Sequence, residues 1–460
     1  MAFAITQTCC NDASCVAVCP VNCIHPTPDE PDFGRTDTLY VDPATCIDCG
    51  ACADACPVDA IFPVDALSAP LRGYAELNAA YYADRSTVDT HAPNFHAWGP
   101  PSFDRVLPSD FAPLDVAVVG TGPAGMYAVQ DLLLHTNSRV TLMDRLPVAG
   151  GLVRFGVAPD HPSTKRIGEV FSRFHHHPRL RLRLGVEVGV DVSVSELAGR
   201  HDAVIYAVGA FNGRRLGIPG EDLPGSLAAA TVVGWYNGHP DVSPGAVDLS
   251  AERVVVVGTG NVALDVARIL TAEPESLAGT TIAPHALAAL RSSKVREVVL
   301  LGRRGPESAA YTRPEFEALR HREAEVVVGG DVDWTATPPD GRRIVFRFHA
   351  TPESIVGDTQ VRAIRLTDGT EIPAGQVVRA VGHHGTPVPG LPFDETTGTI
   401  PNESGRVAAG TYVVGWIKRG ATGGIGVNKS CAAETVTGLL DDAVAGRLKR
   451  RGRRGRGPRR

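Results

Sequence analysis

Nine of the chain's ten cysteines fall within the first 60 residues, and two stretches of them share one spacing. The second stretch reads Cys46-x2-Cys49-x2-Cys52-x3-Cys56-Pro57. The first reads Cys9-x2-Asp12-x2-Cys15-x3-Cys19-Pro20, with a carboxylate where a second thiolate would stand. Three closely spaced thiolates can hold three irons of one cubane, and a fourth cysteine beside a proline points to a neighbouring cluster. Zinc is the alternative for Cys-x2-Cys pairs, but zinc closes a tetrahedron with four ligands and two interlocked registers leave too many. A disulfide framework is disfavoured, because no secretory signal precedes these cysteines.

The ruler resembles that of two-cluster bacterial ferredoxins over residues 1–62. The resemblance implies crosswise ligation, with Cys46, Cys49, Cys52 and Cys19 on one [4Fe-4S] cluster and Cys9, Cys15 and Cys56 on the other. Asp12 is a harder and weaker iron ligand than a thiolate. The second cluster is therefore expected as [3Fe-4S], or as [4Fe-4S] with an easily lost iron on Asp12. Cys23 matches the extra cysteine of seven-iron ferredoxins, which lies near a cluster without binding it. Cys10 stands beside Cys9, and the choice between those two stays open.

Behind the cysteines come elements suited to positioning nucleotides. Leu114–Val119 is a continuous apolar run, the pattern of a strand buried on both faces. It enters Gly120-Thr121-Gly122-Pro123-Ala124-Gly125, then a helical stretch from Met126 to His135, then a strand at 139–143 that ends in Asp144. In this setting Gly120 makes the tight turn, Gly122 lets backbone approach a pyrophosphate, and Gly125 lets helix pack on strand. The pyrophosphate rests on the helix N-terminus, and Asp144 accepts from a ribose diol. A second unit runs from Arg253–Val257 through Gly258-Thr259-Gly260-Asn261-Val262 to a strand at Glu297–Leu301, which ends in Gly302-Arg303-Arg304-Gly305. Adjacent guanidiniums suit a 2′-phosphate that a carboxylate would repel. The first unit reads as an FAD site and the second as an NADP site.

From Leu114 to Gly438 the chain resembles the adrenodoxin-reductase type of ferredoxin–NADP reductase. The resemblance is carried by GTGPAG at 120–125, GLVRFGVAPDHP at 151–162, IPGEDLPGS at 218–226, VGWYNGHP at 233–240, GTGNVALDVARIL at 258–270, GRRGPESAAYTRPE at 302–315 and GWIKRGATGGIG at 415–426. It implies flavin contacts at Ala124, Asp144, Leu152, Val188, Trp416, Gly423, Gly424 and Ile425. The NADP contacts it implies are Arg214, Gly260, Asn261, Val262, Arg303, Arg304, Glu315 and again Gly423. Three departures stand out: Asp144 replaces a common Glu, Ala421 and Gly424 replace Pro and Val, and a longer C-terminal segment is missing.

The fold class expected is an α+β two-cluster ferredoxin module followed by an α/β flavoprotein reductase with two dinucleotide-binding domains. The bounds expected are a ferredoxin domain at 1–65, a linker at 66–112, FAD halves at 113–216 and 380–445, an NADP domain at 217–379 and a basic tail at 446–460. Tyr81, Tyr82, Phe95 and Trp98 are expected to pin the linker to a neighbour.

Composition bounds the function. The chain is 43% hydrophobic and 21% charged over 460 residues, as in a soluble globular protein. No apolar run approaches the roughly 18 residues of a membrane span, and the absence of a basic leader points to a cytoplasmic setting. Residues 1–65 carry ten Asp/Glu against Arg35 alone, whereas 447–460 carry nine Lys/Arg and no acid. The tail reads as solvated or docked on the acidic module, and nucleic acid is not expected as a partner.

NADPH gives a hydride and iron–sulfur clusters take single electrons, which a flavin can reconcile. The expected activity is that of an FAD-dependent ferredoxin–NADP(+) oxidoreductase feeding an external ferredoxin, cytochrome or oxygenase. His161 and Asp265 are candidates for handling protons near the flavin. Cys431 reads as packing, and His175-His176-His177 as an exposed patch. The rivals are an electron-feeding subunit like that of glutamate synthase and a redox-sensing flavoprotein.

Overall fold

The computed structural model describes residues 2–83, 107–320, 322–329 and 332–448. Phe95, Trp98 and almost all of the basic tail lie outside these residues.

Each cysteine ruler builds the same device. The first winds the helix Ser14–Val18, entered through Ala13 at φ 58° and left at Cys19, whose N–H donates to the Val16 carbonyl. The second winds Ala51–Ala55, entered through Gly50 at φ 75° and left at Cys56, whose N–H donates to the Ala53 carbonyl. A residue before proline is pushed out of the helical region by the ring. Cys19 and Cys56 accordingly leave their helices extended, at ψ 114° and 118°. Two antiparallel pairs frame the helices, Phe3–Ile5 with Ile61–Pro63 and Ile24–His25 with Tyr40–Val41.

The stretch expected as linker begins as part of the module. Residues Gly73–Tyr82 form a helix packed on the strands Phe3–Ile5 and Tyr40–Val41. Buried Asn78 accepts from the N–H groups of Ile5 and Val41 at 3.1 and 2.8 Å, and donates to the Ile5 carbonyl at 2.9 Å. Tyr81 stacks on Tyr40 at 4.3 Å, and the Tyr82 hydroxyl donates to the Tyr40 carbonyl at 2.7 Å. Proline and alanine composition hid this helix, because its stability comes from one buried asparagine and two tyrosines rather than from an apolar stripe.

The described residues fall into two compact units. One holds the ferredoxin-like module, residues 153–167 and residues 211–383; the other holds 107–152, 168–210 and 384–448. The segment 153–167, expected inside the first FAD half, thus joins the module and the second nucleotide unit.

Each unit contains a six-stranded sheet. In the second unit the strand order is 406–408, 411–413, 203–206, 115–119, 139–144, 180–184, parallel except at the 406–408 edge. In the first it is 226–228, 376–379, 253–257, 297–301, 343–347, 325–328, parallel throughout. Strands buried on both faces need apolar residues in succession, and Arg253–Val257 is buried at every position. Val254 and Val256 meet the helices around Trp235 and Leu264. Val255 and Val257 meet a three-stranded antiparallel cover that brings Ile355, Ile364 and Ile372.

Candidate functional site

The Cys46–Cys52 site is a pocket lined by Cys19, Cys46, Cys49 and Cys52, with Cys23 in its wall. The Cys19 sulfur lies 3.4 Å from that of Cys23. This contact, helped by backbone N–H groups nearby, lowers Cys19 from the usual thiol range. Cys23 is raised, first by the same contact.

Cys9, Asp12, Cys15 and Cys56 gather at the other site. Burial pushes Cys9 up to about 12, and Cys56 and Asp12 add like charge. Cys15 is raised by burial and then by Cys9, Asp12 and Cys56. Cys10 is buried within reach of Asp12, Cys9 and Cys56 and is raised too. Desolvated thiols beside a carboxylate ionise only against added positive charge, which iron supplies. Asp12 has local partners, since the Ser14 hydroxyl donates to Oδ2 and the Ser14 N–H to Oδ1 at 3.3 Å. Tetrahedral zinc would draw sulfurs to about 3.8 Å of one another. Among the described residues no three cysteine sulfurs lie within 4.8 Å of one another. The Cys46–Cys52 site gathers the four cysteines that a four-iron cubane would take as ligands.

The residues expected around flavin lie together in the second unit. Gly120 has φ 112°, and a Cβ there would meet the Ala207 carbonyl oxygen at 2.3 Å. At Gly125 it would meet the Gly120 oxygen at 2.0 Å. At Gly122 it would meet nothing nearer than 3.9 Å, so the first turn of the helix Pro123–His135 is open to a pyrophosphate. This turn lies between strands 115–119 and 203–206, where the strand order reverses and ligands of such sheets bind. The helix starts three residues before the expected Met126, with Pro123 in its first turn.

Asp144, expected to face a ribose, is itself held at both oxygens. Its Oδ2 accepts from the Thr121 N–H and hydroxyl at 2.8 and 2.5 Å, and its Oδ1 from the Leu146 N–H at 3.0 Å. Oδ1 retains capacity for one more donor. Leu152 lies in the helix Gly151–Phe155 and Val188 bridges to Val192. Trp416 Nε1 donates to the Thr422 carbonyl at 3.1 Å, and Asn428 donates to the carbonyls of Gly424 and Ile425 at 3.1 and 3.0 Å. Buried Cys431 accepts from the Gly415 N–H at 3.3 Å, so it packs beneath this turn.

The first unit repeats the device. Gly258 has φ 128°, and a Cβ would meet the Ala380 carbonyl oxygen at 2.3 Å, whereas at Gly260 it would meet nothing nearer than 4.0 Å. Asn261 Oδ1 accepts from the Thr312 N–H at 2.8 Å and ties the turn to the loop before Glu315. Arg303 and Arg304 are exposed beyond the strand Glu297–Leu301. Arg214 is exposed, its Nε donating to the His383 carbonyl at 3.2 Å. Gly423 alone among the expected NADP contacts lies in the other unit.

His161, Asp265 and Glu315 each bring one polar atom within 4.8 Å of the others. Burial lowers His161, partly offset by the Glu315 charge. Burial and then Glu315 raise Asp265 well above the usual carboxylate range. The group thus gathers at one point an imidazole whose hold on a proton is weakened, an acid whose hold is strengthened by burial, and Glu315. Arg268 bonds both Asp265, at 2.5 Å, and Asp160. Lys165, pushed down to about 8 by burial, donates to Asn237 Oδ1 at 2.8 Å and to the Arg154 carbonyl at 2.9 Å. Asp160, Arg268 and Lys165 escaped the sequence reading; Arg268 stands three residues after Asp265, but its bond to Asp160 spans 108 residues.

No described helix is long and apolar enough to cross a membrane. Residues 114–300 match the pyridine nucleotide-disulphide oxidoreductase family, and residues 39–62 match the 4Fe-4S binding domain family. A probable ferredoxin/ferredoxin–NADP reductase of Mycobacterium tuberculosis is 46% identical over 489 residues, covering 97% of this chain and 85% of the relative. That of Mycobacterium leprae is 44% identical, covering 97% and 87%. Among solved structures, Mycobacterium tuberculosis FprA in complex with NADPH matches at TM-score 0.69 and 42% identity, over 74% of this chain and 88% of that one.

Proposed function

The chain belongs to the family of ferredoxin/ferredoxin–NADP reductases, and from that premise we propose that it passes electrons from NADPH to an external one-electron acceptor by way of FAD and two iron–sulfur clusters. The observation that carries this reading is the pair of glycine turns built alike at two sheet switch points and ending in opposite charge, Asp144 against Arg303 and Arg304. When bound, FAD would supply the exchange between the two electrons of one hydride and the single electrons that clusters accept.

The chain's own residues bind, orient and handle protons. Gly122 and the helix Pro123–His135 receive the FAD pyrophosphate, and Asp144 orients its ribose through Oδ1. Trp416, Gly423, Gly424 and Ile425 form the turn that meets the ring system, with Leu152 and Val188 as further walls. Gly260 to Val262 receive the NADP pyrophosphate, and Arg303 and Arg304 receive the 2′-phosphate. His161 and Asp265, with Glu315, hold and move a proton at the imidazole. Cys19, Cys46, Cys49 and Cys52 hold a four-iron cluster. Cys9, Cys15 and Cys56 hold a three-iron cluster, because the Asp12 carboxylate is a harder, weaker ligand for a fourth iron than a thiolate.

The test is anaerobic stopped-flow mixing with NADPH. Yellow flavin absorbance should bleach and added cytochrome c should then be reduced, in a preparation that contains acid-labile sulfide. A flavin that stays oxidised in excess NADPH overturns the reading.

A further inference from the structure

We propose that the two cysteine sites face different neighbours: the Cys9/Asp12/Cys15/Cys56 site abuts the reductase part of its own unit, and the Cys46–Cys52 loop is the docking surface for a basic one-electron acceptor protein. The proposal rests on the function proposed above and assigns a direction within it.

The contacts that join the ferredoxin module to the rest of its unit flank the first site. Asp37 Oδ2 accepts from the Arg313 N–H at 2.9 Å. The segment bearing Asp37 wraps that site, since Asn11 donates to the Thr36 carbonyl at 3.4 Å and the Leu39 backbone bonds the Cys9 sulfur. Asp59, three residues beyond Cys56, pairs with Arg166. Buried Tyr74, on the helix that closes the module, lies in the field of Glu315 and Glu317. Both anchors therefore sit beside ligands of one site, on the nucleotide side.

The second ruler presents a different surface. Ile47 is 58% exposed and Val18, beside the ligand Cys19, is 41% exposed. Asp48 and Cys49 are exposed too, as is Asp54 on the helix Ala51–Ala55. A β-branched aliphatic at the mouth of a ligand pocket gains nothing there in the free protein, whereas it excludes water from a contact. Arg35 is the lone Lys/Arg against ten acids in residues 1–65. Such a surface steers a basic partner by long-range attraction, and a single apolar centre suits the small, short-lived interfaces of redox encounters. The balanced overall reaction at that surface is NADPH plus two ferric cytochrome c giving NADP+, one proton and two ferrous cytochrome c.

The test uses the full-length, cluster-loaded chain, with zinc-substituted cytochrome c as a redox-inert probe of binding by fluorescence anisotropy. Ile47→Ser and the pair Asp48→Lys/Asp54→Lys should each weaken binding by about tenfold or more at low salt. They should raise the KM for cytochrome c similarly, with acid-labile sulfide per chain and ferricyanide reduction by NADPH unchanged. Asp37→Asn/Asp59→Asn should leave zinc cytochrome c binding unchanged and lower kcat for cytochrome c. Unchanged binding in the Ile47 and Asp48/Asp54 variants, or weakened binding in the Asp37/Asp59 variant instead, overturns the assignment. Binding is read without NADPH, so a chain that failed to oxidise NADPH would sink the functional reading while the anisotropy still decided the docking surface.

Discussion

Arg268 grips Asp160, the residue immediately before His161, and the two side chains are only 6% and 9% exposed. The same guanidinium holds Asp265, so one buried cation fixes the loop that carries the imidazole against the helix that carries the acid. Removing one partner of a buried ion pair strands the other and costs about 3–5 kcal/mol. Arg268→Met is therefore expected to lower unfolding free energy by about that amount in denaturant titrations. It should also slow flavin reduction by NADPH. Arg268→Lys should recover much of the stability and little of the rate, because an ammonium cannot span two carboxylates as a planar fork does. Equal recovery of both would show that Arg268 acts through charge alone.

Asp12→Cys replaces a hard ligand by a thiolate on the same ruler. The variant should show two four-iron signals in EPR after reduction and resist oxidative iron loss at both sites. The parent chain should show a three-iron signal as isolated, which grows on mild oxidation. Two oxidation-resistant four-iron centres in the parent would contradict this reading of Asp12.

Arg303 and Arg304 are expected to set the preference for NADPH over NADH. A charge-assisted hydrogen bond contributes about 1.5–3 kcal/mol, and solvent reduces this at exposed side chains. Arg303→Ala/Arg304→Ala should thus raise the KM for NADPH by about tenfold or more and leave that for NADH nearly unchanged. A parallel change for both nucleotides would move the 2′-phosphate site elsewhere.

The features legible in the sequence are those that repeat a local rule. Cysteine spacing carries the paired helices, since Pro20 and Pro57 force their preceding ligands out of the helix. Glycine spacing carries both nucleotide turns, where a Cβ would strike a carbonyl at 2.3 Å. The illegible parts depend on residues far apart in the chain. Asn78 bridges two strands of the module from a stretch that reads as linker. Segment 153–167 joins the unit of the module because Lys165 reaches Asn237 and Arg166 reaches Asp59. Neither contact follows from composition or period.

The last expectation concerns pH. Burial lowers His161 below its ordinary value of 6.5, so the folded chain binds fewer protons there than the unfolded chain once pH drops under that value. Stability then rises with pH across the window below 6.5 and is fully present above it. The raised Asp265 contributes with the opposite sign, so His161→Asn should shift the difference between variant and parent in denaturant titrations by favouring the variant as pH falls below 6.5. A neutral imidazole also has a free nitrogen lone pair for a proton. Hydride transfer to the flavin should accordingly fall on the acid side of the same window in the parent and lose that dependence in His161→Asn. Parallel stability profiles for parent and variant would mean that another buried group carries the acid sensitivity.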